Sequence, residues 1–354
     1  MTPQEQGKFV KLDVILDRQW SRTMSIGSIS GSRKFKEEES TPAAAAGAPK
    51  PLQTIDMSKL VIREVIGLGA IGKVHRGTYN NEEVAIKLLD CSKPGLAGDG
   101  ISDWRRVCLM RELRIWRKLD HPNIVKLIGA SPGVADKNAF SNVCCLVSEY
   151  MSTGSLREYL MSQHKRLSYK LVIQLGIDIA RGLEYLHSRK IIHRDVKTKN
   201  ILLDSALRAK IGDFDSARIL MEADQAMSGE IGTFGYMAPE VMDGRAYDCK
   251  SDVFSFGICL LEIYSCDMAY GLVCLSLADI TKGLVYRNLR PKIPRSCPGE
   301  LAYVMKRCWK KNPDKRPRMS EVVRMLEAIA KGNSLSKVSP QCNPFPDTSS
   351  SISK

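Results

Sequence analysis

Apolar residues from Leu60 to Leu89 follow the spacing of extended strands. Leu60 to Ile66, Val74 to Tyr79 and Val84 to Leu89 alternate or cluster β-formers around a glycine-rich turn and an Asn80-Asn81 turn, as antiparallel strands do. A helical stretch is predicted over Asp103 to Leu119, then strands at Ile124 to Ile128 and Val143 to Glu149, which gives five strands and one helix. From Leu156 onward the spacing turns helical. Ile173, Ile177 and Ala180 stack at i, i+4 and i+7 in a segment ending near His187, and helices are predicted at Cys249 to Ser265, Leu275 to Lys282, Glu300 to Lys310 and Ser320 to Lys331. The pattern predicts an α+β fold of two lobes, a small antiparallel β lobe with one main helix before a larger α-helical lobe. Chemistry is expected at their junction.

The ends break the pattern. Leu12, Val14, Ile15, Leu16 and Trp20 space as one short amphipathic helix, but a Ser/Gly segment (Ser25 to Ser32), a charge run (Lys34 to Glu39) and an Ala/Pro stretch (Pro42 to Pro51) follow it. Low hydrophobicity predicts a disordered tail over residues 1–56. Pro340, Pro344, Pro346 and a serine run predict another over 334–354, leaving 57–333 as the folded domain.

A length of 354 residues is ample for a sizeable core. The longest apolar stretch, Val253 to Cys266, is too short to span a membrane and is interrupted by Glu262, and the amino terminus lacks a charged-then-apolar secretory pattern. A cytosolic or nuclear home follows, with the cytoplasm expected. The eleven cysteines are scattered and no Asn-x-Ser/Thr acceptor occurs, so they read as reduced core thiols; adjacent Cys144 and Cys145 lack zinc spacing. Net charge is +14, about +12 of it between the two tails. With aromatics at 6% and no nucleic-acid motif, this charge reads as attraction to nucleotide and acidic protein partners rather than to nucleic acid, and peripheral contact with a membrane surface stays open.

Chemistry enters at His193-Arg194-Asp195-Val196-Lys197-Thr198-Lys199-Asn200, followed by Asp213-Phe214-Asp215. An aspartate to accept a hydroxyl proton, a lysine for phosphate charge, and an asparagine and second aspartate to hold magnesium are what phosphoryl transfer asks of a protein. Upstream, the glycines of Gly67-Leu68-Gly69-Ala70-Ile71-Gly72-Lys73-Val74 let a strand-turn-strand backbone approach phosphates with no Cβ in the way. A dinucleotide fold would need them to open a helix, whereas β-branched residues flank them here. Lys87, in Val84-Ala85-Ile86-Lys87, is an inward strand lysine that needs an anion. Phosphates and Glu112, placed before His121-Pro122-Asn123-Ile124-Val125, are natural partners. Either residue alone would read as a solvated side chain; their joint spacing argues against that.

With these motifs, residues 60 to 331 resemble the protein kinase family. Gly232-Thr233-Phe234-Gly235-Tyr236-Met237-Ala238-Pro239-Glu240, Ser251-Asp252-Val253-Phe254-Ser255-Phe256-Gly257 and Lys315-Arg316-Pro317 extend the match. The resemblance implies the two-lobed protein kinase fold, ATP as donor, Mg2+ as metal, and protein substrates phosphorylated on Ser or Thr in intracellular signalling. It implies Asp195 as catalytic base, Lys197 against the γ-phosphate, Lys87 paired with Glu112, and Asn200 and Asp213 on the metal. Cofactor contacts are implied for Ile66, Gly67, Leu68, Gly69, Ala70, Ile71, Gly72, Lys73, Val74, Ala85, Lys87, Ser148, Glu149, Met151, Asn200 and Asp213. Asp252 would brace the catalytic loop, and Arg316 would pair with Glu240. Lys197 and the Gly-Thr-x-x-Tyr-Met-Ala-Pro-Glu ending resemble serine/threonine kinases. The His121 motif leading to Ile128-Gly129-Ala130, with Leu146-Val147-Ser148-Glu149-Tyr150-Met151, resembles the tyrosine-kinase-like branch and, within it, plant Raf-like kinases related to MAP kinase kinase kinases. Ser148 falls at the gatekeeper position, where a small hydroxyl should leave the pocket behind adenine open.

Arg194 invites a phosphate on the segment between Asp213 and Glu240, with Ser228 the first candidate by position and Thr233 more often a structural hydroxyl. Asp215 departs from the family pattern, which has glycine there. An aspartate removes backbone freedom and adds negative charge beside Asp213. Because Lys87, Glu112, Asp195, Asn200 and Asp213 are all present, an active enzyme is expected; the alternative is a pseudokinase or weakly active nucleotide-binding scaffold.

Overall fold

A computed structural model of the chain describes residues 53–69, 72–90, 100–131, 143–163, 166–220, 232–270 and 277–332. The amphipathic segment Leu12 to Trp20, the tail predicted over 334–354, Ala70, Ile71 and Ser228 lie outside the described residues.

In the small lobe, β1 (Leu60–Leu68), β2 (Lys73–Tyr79), β3 (Glu82–Asp90), β4 (Leu127–Ala130) and β5 (Val143–Glu149) form an antiparallel sheet of order β1-β2-β3-β5-β4. Asn80 and Asn81, at φ 50° and 67°, make the two-residue turn between β2 and β3, since asparagine tolerates left-handed backbone better than most residues. Helix α1 (Gly100–Trp116) buries Leu109, Leu113 and Trp116. It ends before the predicted Leu119 because Lys118 and Leu119 donate three residues back, to Ile115 and Trp116, and so tighten the chain out of the helix.

Two boundaries differ from the expectation for a physical reason. The strand predicted at Ile124 begins only at Leu127, because Ile124 bridges Ile211 of the other lobe and the Lys126 amide donates to the Glu149 carboxylate at 2.7 Å. Residues 53–56, assigned to the tail from composition, belong to the fold. Thr54 bridges Ala130 in parallel, and Ile55 is buried under the sheet.

The large lobe opens with α2 (Leu156–Ser162), started by a capping box in which Ser155 and Glu158 bond each other's backbone amides. Helix α3 (Tyr169–Ser188) buries the face carrying Ile173, Ile177 and Ala180. After the short α4 (Pro239–Met242), α5 (Lys250–Ser265) is apolar on all sides and buried from Ser251 to Tyr264, so it forms the lobe's axis. α6 (Leu277–Tyr286), α7 (Gly299–Cys308) and α8 (Met319–Ala330) complete it. Small ladders escape a sequence reading because each strand has two or three residues: β6 (Gly154–Ser155), β8 (Ile201–Leu203) and β9 (Ala209–Ile211) in one, β7 (Ile191–Ile192) and β10 (Arg218–Ile219) in the other. They carry the loops of the junction.

An ion pair is enclosed in this lobe. Arg316 donates to both Glu240 oxygens at 2.6 and 2.8 Å, also donates to the carbonyls of Lys310 and Lys250, and lies over the Phe254 ring at 5.2 Å. Removing one partner of a buried pair strands the other. Arg316→Ala should therefore lose about 3–5 kcal/mol in a denaturant melt; a loss below about 1 kcal/mol would show the pair to be solvated.

Candidate active site

The register of β3 points Lys87 inward between Val74 of β2 and Leu146 of β5. There its ammonium donates to both oxygens of Glu112 on α1, at 2.9 and 2.7 Å, and lies 3.6 Å from Asp213. Burial works to discharge Lys87, but Glu112, then Asp213 and Asp215, outweigh it and hold its pKa above the ordinary value. Burial likewise pushes the Glu112 carboxyl up, with Lys87 opposing. Lys87 keeps its proton, so the contact sets an ammonium against the Glu112 carboxyl group.

Below it, the loop from His193 to Asn200 is held by one buried carboxylate. Asp252 accepts the amides of His193 and Arg194, each at 2.9 Å, and faces His187 Nε2 at 2.9 Å. Burial alone would raise Asp252; the His187 bond and the two imidazoles bring it below the usual carboxylate range. These bonds sustain Arg194 in left-handed backbone, φ 69°. The held loop presents Asp195. One of its oxygens accepts from Thr233 at 2.7 Å; the other faces Lys197 at 2.8 Å and accepts from Asn200 Nδ2 at 3.0 Å. Lys197 also donates to Thr233 at 2.8 Å. Burial pushes the Asp195 carboxyl up, but Lys197, then Thr233 and His193, outweigh it and leave it below its ordinary value, so it is ionised at neutral pH and fit to accept a hydrogen bond from a hydroxyl.

The residues suit a hard divalent cation. Asn200 spends its amide nitrogen on the Asp195 carbonyl and carboxylate, which leaves its amide oxygen to serve as a metal ligand, and the part-exposed Asp213 carboxylate faces the same junction. Above them, the Gly69 amide donates to the Gly72 carbonyl at 2.8 Å and closes the turn between β1 and β2. A Cβ on Gly72 would run into the Leu88 carbonyl, so only glycine fits there. Ile66, Gly67 and Leu68 end β1, and Lys73 and Val74 open β2; Ala85 pairs with Ser148 across β3 and β5. Ser148 and Met151 are buried. The Glu149 side chain turns to partners within the fold. Its carboxylate is taken by Lys210, at 2.8 and 2.7 Å, and by the Lys126 amide, so contact with a base from that position is left to the main chain.

Comparison with known proteins decides the family. A model of the protein tyrosine and serine/threonine kinase family matches residues 60–326. The chain is 34% identical over 278 residues to serine/threonine-protein kinase STY17 of Arabidopsis thaliana, covering 78% of this chain and 45% of that protein. It is 36% identical over 278 residues to serine/threonine/tyrosine-protein kinase HT1 of the same plant, covering 77% and 67%, and 36% identical over 277 residues to its kinase STY46, covering 78% and 45%. The chain belongs to the protein kinase family. It spans under half the length of STY17 and STY46. Family membership brings ATP and a divalent metal ion.

In this kinase, backbone strain at the metal motif does not fall on the substituted position. Asp213 is left-handed at φ 62°, whereas Asp215 is not among the residues with positive φ, so its side chain carries no left-handed penalty. Phe214 is fully buried, 5.6 Å from the Trp116 ring and 5.4 Å from the His193 ring, and directs Asp213 outward. What Asp215 does bring is charge. Burial, then Asp213, raises its carboxyl to about 6, against the pull of Lys87.

Arg194 donates through Nε to the Ser216 carbonyl and through Nη1 to the Tyr247 hydroxyl, while buried Nη2 has no hydrogen-bond partner among the described residues. Arg218 lies close enough that burial, then Arg194 and Arg111, lower its pKa to about 10. Sequence reasoning missed Glu262. It is buried in α5 and accepts from Thr198 at 2.9 Å and Tyr236 at 2.6 Å, tying the catalytic loop to the segment before α4. The available signal was one carboxylate inside an apolar run. Among the described residues no group of three or more His, Cys, Asp or Glu is arranged to hold a metal, Cys145 is a buried free thiol, and no helix is long and apolar enough to cross a membrane.

Asp215 gives a pH-dependent prediction. Its pKa is about 6 in the fold against an ordinary 3.8, so the folded chain retains a proton that the unfolded chain has released. Stability from this group is complete below about pH 4 and is lost as pH rises through about 6. Without divalent ions, Asp215→Asn should melt higher than the native chain at pH 8, by on the order of 1 kcal/mol, and the gap should close toward pH 4. An equal gap at both pH values would rule out this charge as the cause.

Proposed function

We propose that the chain transfers the γ-phosphoryl group of ATP, with Mg2+ as its metal, to serine or threonine hydroxyls of protein substrates in the cytoplasm. The observation that carries this reading is the ionised Asp195, held between Lys197 and Thr233 and facing the junction where Asn200, Asp213 and Lys87 converge. Bound Mg-ATP supplies the transferable group and neutralises its charge. Lys87 and the backbone from Gly67 to Gly72 would hold phosphates, and Asn200 and Asp213 the ion. Asp195 orients the substrate hydroxyl and takes its proton, with Lys197 beside it to balance the charge that gathers there. The Ser/Thr choice is supported by Lys197 and by the serine/threonine-protein kinase relatives STY17 and STY46. The cytoplasmic assignment is supported by the free thiols. No observation favours the pseudokinase alternative, and the family match and the serine/threonine-protein kinase relatives support an active enzyme.

Purified chain with labelled ATP, Mg2+ and a generic Ser/Thr substrate should incorporate label, and Asp213→Ala should lower the rate at least about 100-fold. Asp215→Gly should raise it by up to about tenfold, the equivalent of about 1.4 kcal/mol of like-charge repulsion removed. A silent native chain beside an active Asp215→Gly form would instead make the native protein a scaffold.

The unpartnered Arg194 Nη2 beside Arg218 supports a phosphate docking here from the segment between Asp213 and Glu240. Phosphatase treatment of active protein should then slow it; an unchanged rate removes this reading.

A further inference from the structure

β1 lies at the edge of the five-stranded sheet, so along its outer side the backbone N–H and C=O groups lack a neighbouring strand among the described residues. Its apolar side chains are open as well: Val61 is 53% exposed, Ile62 41% and Val65 48%. Such an edge invites another strand. Its sequence says which one, because Val61-Ile62-Arg63-Glu64-Val65-Ile66 has the same chemical order in both directions, two apolar residues on either side of opposite charges.

An antiparallel second copy with its two-fold axis between Arg63 and Glu64 puts each Arg63 opposite the other copy's Glu64. It also sets Ile62 against Val65, with Val61 and Ile66 at the ends of the stretch, where a second register shift between Val65 and Gly67 leaves Ile66 outside the β1–β2 pairing. In a regular strand Ile62 and Val65 would point to opposite faces, which forbids that pairing. The register of β1 removes the obstacle. Ile62 pairs with Gly77 and Val65 with His75, two residues apart on β2, so the irregularity between them brings both side chains to one face.

We infer that the β1 edge is a homotypic docking surface, on which a second copy of this chain pairs through Val61 to Ile66. The charges set its direction and register. Glu64 is already 3.4 Å from Arg76, with both side chains well exposed, whereas Arg63 has no ion pair among the described residues. Arg63 therefore brings the uncompensated charge that the other copy's Glu64 meets. Exposed pairs add little affinity but discriminate strongly against like charges, and a two-fold interface uses each contact twice. Six residues a side fall short of the roughly 1,200 Å² of a stable interface, and the irregular register limits extension of the ladder, so the dimer is weak and concentration-dependent.

Sedimentation of the full chain between about 1 and 100 μM tests this, in the range where weak complexes form. The native chain should pass from monomer toward dimer. Arg63→Glu and Glu64→Arg, each alone, should weaken the dimer at least about tenfold, because like charges then meet at the axis. An equimolar mixture of the two should dimerise again, as should the doubly exchanged chain, since opposite charges face each other once more. Melting temperature and kinase rate check that the variants fold, and neither residue belongs to the nucleotide or metal site. A native chain that stays monomeric throughout overturns the inference, whether β1 is bare or covered by the chain's own Leu12 to Trp20 segment. So does a dimer that ignores single charge reversal, because its interface lies elsewhere.

Discussion

A lysine ammonium inside a sheet must be matched by negative charge, and the junction of this kinase is organised by how Lys87 meets that demand. Its partners come from elements far apart in the chain: Glu112 from α1 and Asp213 from the metal motif. One desolvated charge thus fixes the helix against the sheet and the sheet against the large lobe. Phosphates would be received by a lysine already positioned and fully protonated.

The large lobe applies the same logic to its main chain. Asp252 accepts two consecutive amides of the catalytic loop, Glu262 joins that loop to the segment before α4, and Glu240 closes on Arg316 beneath it. Each carboxylate is buried, and each is satisfied by hydrogen bonds or a cation. Buried polar groups are tolerated only when so satisfied, which makes them geometric constraints more than sources of net stability. Asp195 inherits its position from these constraints.

Much of this was legible in the sequence. Period-two stretches marked β1, β2, β3 and β5, and helical spacing marked α3, α5, α7 and α8, because those segments are long enough to show a period. The ladders of β6 to β10 were not legible, since strands of two or three residues have none. Ile124 looked like strand because it is β-branched and apolar, but tertiary contact with Ile211 claimed it instead. Ile55 sat beside a proline-rich stretch that masked its burial. At the site, motif spacing named Lys87, Glu112, Asp195, Asn200 and Asp213, whereas the turning of Glu149 toward Lys210 depends on a fold contact that no local pattern encodes. Of the two effects expected of Asp215, lost backbone freedom falls away because the left-handed residue is Asp213, and the added charge remains.

The rings of Trp116, Phe214 and His193 run from the helix of the small lobe into the catalytic loop of the large one, and the Trp116 indole donates to the Val125 carbonyl at 2.7 Å. Neither lobe can shed its share of this aromatic column without opening an apolar void in the other. The two halves are thereby made a single cooperative unit, and heating should dissolve them together in one transition rather than two.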